Sequence, residues 1–163
     1  MEHGRVRFKH RLVGQTEDRS KGLAGTPVAD AGRLYSEAII GANPVPDVVL
    51  IDGRYRDACL LQTTLTALQE HWPQVHIMIH DYHRWKYQEN AKAVLGKPTR
   101  VAGYRKEIQE KCKRDHAACS GAEQGGCLAE WFLDGEKLAS MRQNTALLAE
   151  LNERLHGAEN VVD

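Results

Sequence analysis

Hydrophobic positions along the chain change period several times, and each change predicts an element. Near the start Val6, Phe8, His10 and Leu12 alternate with Arg5, Arg7, Lys9 and Arg11, which predicts a strand over 5–13. Residues 14–32 are polar and carry Gly14, Gly22, Gly25, Pro27 and Gly32, as a long irregular connection does; such length points to a functional or mobile loop. A short helix is expected from Gly32 to Ile40. The run Gly41-Ala-Asn-Pro-Val-Pro46 stops it, because its prolines cannot continue a helix.

The middle of the chain is the most legible part. Val48-Val-Leu-Ile51 is a continuous apolar run bounded by Asp47 and by Asp52-Gly53, which predicts a strand covered on both faces of a parallel sheet. Ala58, Leu61, Leu65 and Leu68 then lay one apolar stripe along a helix that His71-Trp72-Pro73 ends. Val75-His-Ile-Met-Ile79 is a second strand, and a second helix is expected over Arg84 to Val94. Strand, helix, strand, helix implies a right-handed crossover between parallel neighbours.

Further on, Thr99 to Arg105 reads as a strand, Glu107 to Ala118 as a helix and Cys127 to Leu133 as another strand. From Asp134, an N-cap, the positions Leu138, Met141, Thr145, Leu148 and Leu155 predict one amphipathic helix stopped by Gly157. The expectation is a single three-layer, Rossmann-like α/β domain over 1–157 with a mainly parallel sheet, a C-terminal amphipathic helix and a short tail over 158–163.

Composition narrows the function. The 163 residues carry 22 Lys and Arg against 22 Asp and Glu, so a zero formal charge argues against a general binder of nucleic acid or acidic membranes. No apolar run approaches the ~20 residues of a spanning helix, and the N-terminus lacks the apolar segment of a secretory signal. Four cysteines without framework spacing suggest reduced thiols in an intracellular, cytoplasmic setting. A chain of this length buries roughly 70% of its unfolded surface and needs no metal or disulfide to be stable.

In a parallel α/β sheet, ligands gather beyond the carboxyl ends of the strands. Asp52 and Asp81 stand at two such ends, where neighbouring carboxylates suit a hard cation such as Mg²⁺. The same residues read equally as caps of the helices that follow.

Asp47-Val-Val-Leu-Ile-Asp-Gly53, and Ile77-Met-Ile-His-Asp-Tyr82 after the next helix, resemble the fourth and fifth strands of class I S-adenosylmethionine-dependent methyltransferases. The nearest groups are the metal-dependent macrocin and caffeoyl-coenzyme A O-methyltransferases. The resemblance implies that Asp52 and Asp81 hold a divalent ion and that His80 lies beside the acceptor, as a general base or as a group behind the first contacts. Leu12-Val-Gly-Gln-Thr16 is similar to the end of the third strand, which implies that Gly14, Gln15 and Thr16 pass near the cofactor. Gln15 and Thr16 stand where the family has an acid and a serine.

Two departures bear on activity. The Gly-rich loop that cradles S-adenosylmethionine in the family has no counterpart, since no G-x-G occurs in the sequence. Arg54-Tyr55-Arg56 follows Asp52-Gly53, and these cations would repel a metal while offering an anionic substrate a partner. Tyr55, Arg56 and Arg84 are accordingly the candidate substrate contacts. The expectation is a truncated or divergent metal-assisted O-methyltransferase acting on a small hydroxyl-bearing substrate. The alternative is a non-catalytic interaction domain that pairs, with itself or with a partner chain, through an exposed sheet edge.

Other residues carry weaker signals. Cys112, His116 and Cys119 fall on one helical face, and Cys127 would complete a set for zinc, although the paired knuckles of zinc modules are missing and unligated thiols are the simpler reading. Cys59 reads as a small core residue, Trp72 and Trp131 as packing groups, and His71 and His76 as structural. The interleaved run Tyr82-His-Arg-Trp-Lys-Tyr87 would suit stacking on bases in a charged protein, but in this neutral chain it reads as the first turn of a helix.

Overall fold

The structure is a computed structural model and describes residues 28–53, 55–82, 85–103 and 127–159. The strand expected over 5–13, most of the loop over 14–32, the helix over 107–118 and most of the tail over 158–163 lie outside the described residues. Helix α1 (Val28–Ser36) runs into a 3₁₀ turn (Glu37–Ile39), and strand β1 (Val48–Ile51) leads to helix α2 (Arg56–Gln69). Strand β2 (Val75–His80), helix α3 (Trp85–Leu95) and strand β3 (Arg100–Ala102) follow. Strand β4 (Leu128–Leu133), helix α4 (Gly135–Gln143) and helix α5 (Thr145–Ala158) complete the described chain.

The four strands form one sheet in the order β1-β2-β4-β3. β1 and β2 are parallel, as the strand-helix-strand pattern requires, with Ile51 beside Ile79. β4 enters between β2 and β3 and runs antiparallel to both. The sheet is therefore mixed, where a mainly parallel one was expected. Along β4, Leu-Ala-Glu-Trp-Phe-Leu alternates half-buried and buried positions, as a strand covered on one face does.

Val75, Ile77, Ile79, Ala129, Trp131 and Leu133 make the sealed face of the sheet, and all are fully buried. α2 lies on β1 and β2 and is itself packed by α1, α3, α4 and α5. The stripe of Ala58, Leu61, Leu65 and Leu68 is buried as predicted, and so are Leu60, Thr63, Thr64 and Ala67, because α2 has neighbours nearly all round. Two of its buried polar side chains bond within the helix: Thr64 donates to the Leu60 carbonyl at 2.9 Å and Gln62 to Thr66 at 3.1 Å. Among the described residues the helices gather around α2, which lies on β1 and β2.

β1 corrects a second expectation. Its outward residues Val48 and Leu50 are 53% and 61% exposed, so the strand is covered on one face only, and among the described residues it is the end strand of the sheet. An apolar run reports that a strand is buried somewhere, while its place in the strand order decides on how many sides.

The C-terminal helix predicted as one element is two. Asp134 caps α4 by accepting a hydrogen bond from the Lys137 amide at 2.8 Å, as expected. Asn144 then ends α4 and caps α5, accepting from the Leu147 amide at 3.0 Å. Arg142, in the last turn of α4, donates to the carbonyls of Leu68 and Trp72 at 3.0 Å each, closing the end of α2. Trp131 and Trp72, read as packing groups, lie in the core, their indole groups bonded to the Gly96 carbonyl and to Glu70. Cys59 is half-buried at the core margin. No described helix is long and apolar enough to cross a membrane.

Candidate functional site

The carboxyl ends of β1 and β2 bring together Asp52, Arg56, His80 and Asp81. After Ile51 the chain turns through Asp52 and Gly53, whose φ of 120° favours glycine, and Tyr55 enters α2 in the left-handed region at φ 55°. A Cβ on Gly53 would lie 2.9 Å from the Tyr35 hydroxyl, so this turn is also pressed from outside. Asp81 likewise has a positive φ, 59°. Two of the three non-glycine residues with positive φ among those described therefore flank this site, and such backbone costs of order 1–3 kcal/mol each.

Arg56 is the centre of the cluster. It opens α2, where the helix dipole disfavours a cation, and its side chain is only 10% exposed. Its compensation is specific: Nη1 donates to Asp81 Oδ2 at 2.7 Å and to the His80 carbonyl at 3.2 Å, Nε donates to the Gly53 carbonyl at 2.7 Å, and Nη2 lies 3.6 Å from Asp52 Oδ1. The guanidinium also sits over the Tyr87 ring, 5.5 Å from its centroid. Burial by itself would lower the Arg56 pKa, but the hydrogen bond to Asp81 and the nearby acidic groups carry it above its ordinary value. The side chain is a fixed cation at every accessible pH.

His80 and Asp52 form the accessible edge. His80 Nδ1 is 3.3 Å from Asp52 Oδ1 and 3.5 Å from Asp81 Oδ1, with the imidazole 38% and the Asp52 side chain 57% exposed. Asp81 is largely covered. The helix-cap alternative for Asp52 is not what is seen, because Tyr55 occupies the N-cap of α2 and no side chain caps it.

Tyr55, expected against substrate, is buried beside Tyr35, with ring centroids 6.1 Å apart. Arg56 is likewise turned inward. Arg84, Gly14, Gln15, Thr16 and Arg54 lie outside the described residues, as do Cys112, His116 and Cys119. Cys127, the fourth of that set, is buried at the start of β4, and burial together with nearby Asp81 pushes its thiol up.

Three residues at or near the site were not singled out by the sequence. Tyr87 under Arg56 belongs to the aromatic and basic run and stands in the first turn of α3. Tyr35, whose phenol is pushed up by burial and then by neighbouring Cys59 and Asp52, has no sequence signal, since α1 reaches Gly53 only through the packing of the helices. Glu130 pairs with His76 at 2.6 Å on the open face of the sheet, and His76 stacks on Phe132 at 4.4 Å, which gives His76 the structural role expected of it.

A divalent ion does not fit this cluster as it stands. Both carboxylates are engaged by Arg56, and among the described residues no group of three or more His, Cys, Asp or Glu side chains is placed to hold a metal. Compared with known proteins, the chain matches no family model, no curated protein and no solved structure.

Proposed function

We propose that this domain is the acceptor-binding half of a Rossmann-like, class I methyltransferase-type sheet, and that His80 is the base serving a small hydroxyl-bearing acceptor. The observation that carries this is the His80 imidazole at the carboxyl end of a parallel strand pair, with Nδ1 within 3.5 Å of two carboxylates. Carboxylates on Nδ1 favour the tautomer that keeps its proton there, which leaves the Nε2 lone pair to accept a proton from a hydroxyl. Asp52 orients the ring, and Asp81 acts from behind while anchored by Arg56.

The strand order supports the same reading. With β1 and β2 in the places of the fourth and fifth strands, β4 is an antiparallel strand inserted between the fifth and sixth, as the last strand of the methyltransferase sheet is. S-adenosylmethionine would supply an electrophilic methyl group. The residues assigned to it, Gly14, Gln15 and Thr16, lie outside the described residues. What the described side chains offer is acceptor binding and proton removal, the two things methyl transfer to oxygen asks of a protein.

A second reading, an interaction domain on the same sheet, is favoured by one feature: Val48 and Leu50 are exposed on β1, which among the described residues is the end strand of the sheet and so open to pairing with a second copy or a partner chain. Calorimetric titration of the full chain with S-adenosylhomocysteine, with and without Mg²⁺, separates the two. Saturable binding at about micromolar Kd supports methyl transfer. A folded sample that gives no heat overturns the stand-alone enzyme and leaves the interaction domain.

A further inference from the structure

We propose that the Arg56 guanidinium is the resident cation of this carboxylate site, occupying the place of the divalent ion that the sequence leads one to expect. The site therefore works without metal. The inference takes only its location from the acceptor site above, and it stands or falls on Arg56 alone.

Three observations carry it. First, Arg56 bridges both carboxylates, at 2.7 Å to Asp81 Oδ2 and 3.6 Å to Asp52 Oδ1, so one side chain answers the charge of each. Second, it is held in place by contacts that have nothing to do with the carboxylates: the Gly53 carbonyl at 2.7 Å, the His80 carbonyl at 3.2 Å and the Tyr87 ring beneath. A long surface arginine could swing aside for an incoming ion, but one tied to two turns and a ring cannot leave without orphaning two carbonyls. Third, the carboxylate best placed to ligate a metal, Asp81, is itself fixed at positive φ with Oδ2 spent on Arg56. Mg²⁺ requires oxygens at about 2.0–2.1 Å in a near-ideal octahedron, and an ion bound there would lie against a buried like charge.

The placement also explains why the cation is an arginine. Its planar fork reaches a carboxylate and two backbone carbonyls at once, whereas an ammonium is a point charge. Two carboxylates and one guanidinium leave the cluster one negative charge, carried at its exposed edge by Asp52 beside His80.

The test is titration of the full-length chain with Mn²⁺ alone, followed by loss of the free-ion electron paramagnetic resonance signal. Wild type is expected to show no stoichiometric binding up to about 1 mM. Arg56→Met keeps the apolar stem over Tyr87 and removes the charge; it should gain one Mn²⁺ site at least about tenfold tighter than any wild-type binding, and Arg56→Met/Asp81→Asn should lose it again. Stoichiometric Mn²⁺ binding by wild type that disappears in Asp81→Asn overturns the proposal, and this arm needs no Arg56 variant. A folded Arg56→Met that gains no site also overturns it. Should that variant lose its helical signal, Arg56→Gln, which retains donors for the carbonyls, takes its place with the same two outcomes. Because the S-adenosylhomocysteine titration measures methyl-donor binding and the Mn²⁺ titration measures Arg56, either proposal can fail while the other stands.

Discussion

β2 and β4 each have two faces, built by alternate residues of the same short segments, and the faces differ in almost everything. Val75, Ile77, Ile79, Ala129, Trp131 and Leu133 point one way and are sealed under α2 and its neighbours. His76, Met78, His80, Leu128, Glu130 and Phe132 point the other way and are half-buried, with His76 paired to Glu130 and His80 set among carboxylates at the strand end. Register keeps the faces apart: Ile77 lies opposite Trp131 and Met78 opposite Glu130, so a slip by one residue would exchange them. The sealed face holds the fold, and the titratable chemistry sits where packing makes fewer demands.

The comparison predicts a graded set of outcomes. The largest belongs to the sealed face. Trp131→Ala removes a side chain with no exposure, its edge contact with Tyr82 at 5.3 Å and its bond to the Gly96 carbonyl, and should cost about 3–5 kcal/mol in denaturant unfolding. A loss under about 1 kcal/mol would mean that this face is not the core. Next comes the layer behind it: Arg142→Ala leaves the carbonyls of Leu68 and Trp72 without their donor and should cost about 1–2 kcal/mol, read as a lower denaturant midpoint at constant slope.

A smaller effect is expected in alkali. The thiol of Cys127 and the phenol of Tyr35 have folded pKa values raised above the ordinary 9.0 and 10.0 by burial, so the folded chain holds those protons longer than the unfolded one. Their contribution is complete below pH 9 and fades as pH rises through the raised values. Tm should therefore fall above pH 9, less steeply in Cys127→Ala, and peptide mapping after iodoacetamide at pH 8 should find Cys127 among the slowest thiols. A flat alkaline limb would remove the buried-thiol part of this picture. The smallest effect belongs to the open face, where Leu50→Asp, at a position 61% exposed, should change stability by less than about 0.5 kcal/mol. A much larger loss would show that something covers β1, and a concentration dependence of that loss would point to a second copy.

Legibility followed the range of the interactions involved. Residues 47–94 were read nearly to their ends, because a run such as Val48–Ile51 and a stripe such as Ala58, Leu61, Leu65 and Leu68 record their own environment locally. The Asp134 cap was equally visible, being a bond to a residue three positions away. Asn144 was missed as a break because Leu138, Met141, Leu148 and Leu155 continue an apolar pattern across it, and the turn between α4 and α5 follows from how each helix docks on α2. At the site, Asp52 and Asp81 could be named from their positions after two strands and His80 only through the family resemblance, whereas the inward direction of Tyr55 and Arg56 could not.

The sequence by itself determined the strands and helices of the middle region, the cap at Asp134, the packing roles of Trp72 and Trp131 and the meeting of two carboxylates at neighbouring strand ends. Each depends on periodicity, on a near neighbour in the chain or on the handedness of a crossover. Only the tertiary structure decided that β4 enters antiparallel between β2 and β3, that β1 ends the described sheet with one face open, and that Arg56 lies between Asp52 and Asp81. These depend on which distant segments share a boundary, and that choice is made by the packing of whole elements, which no local pattern encodes.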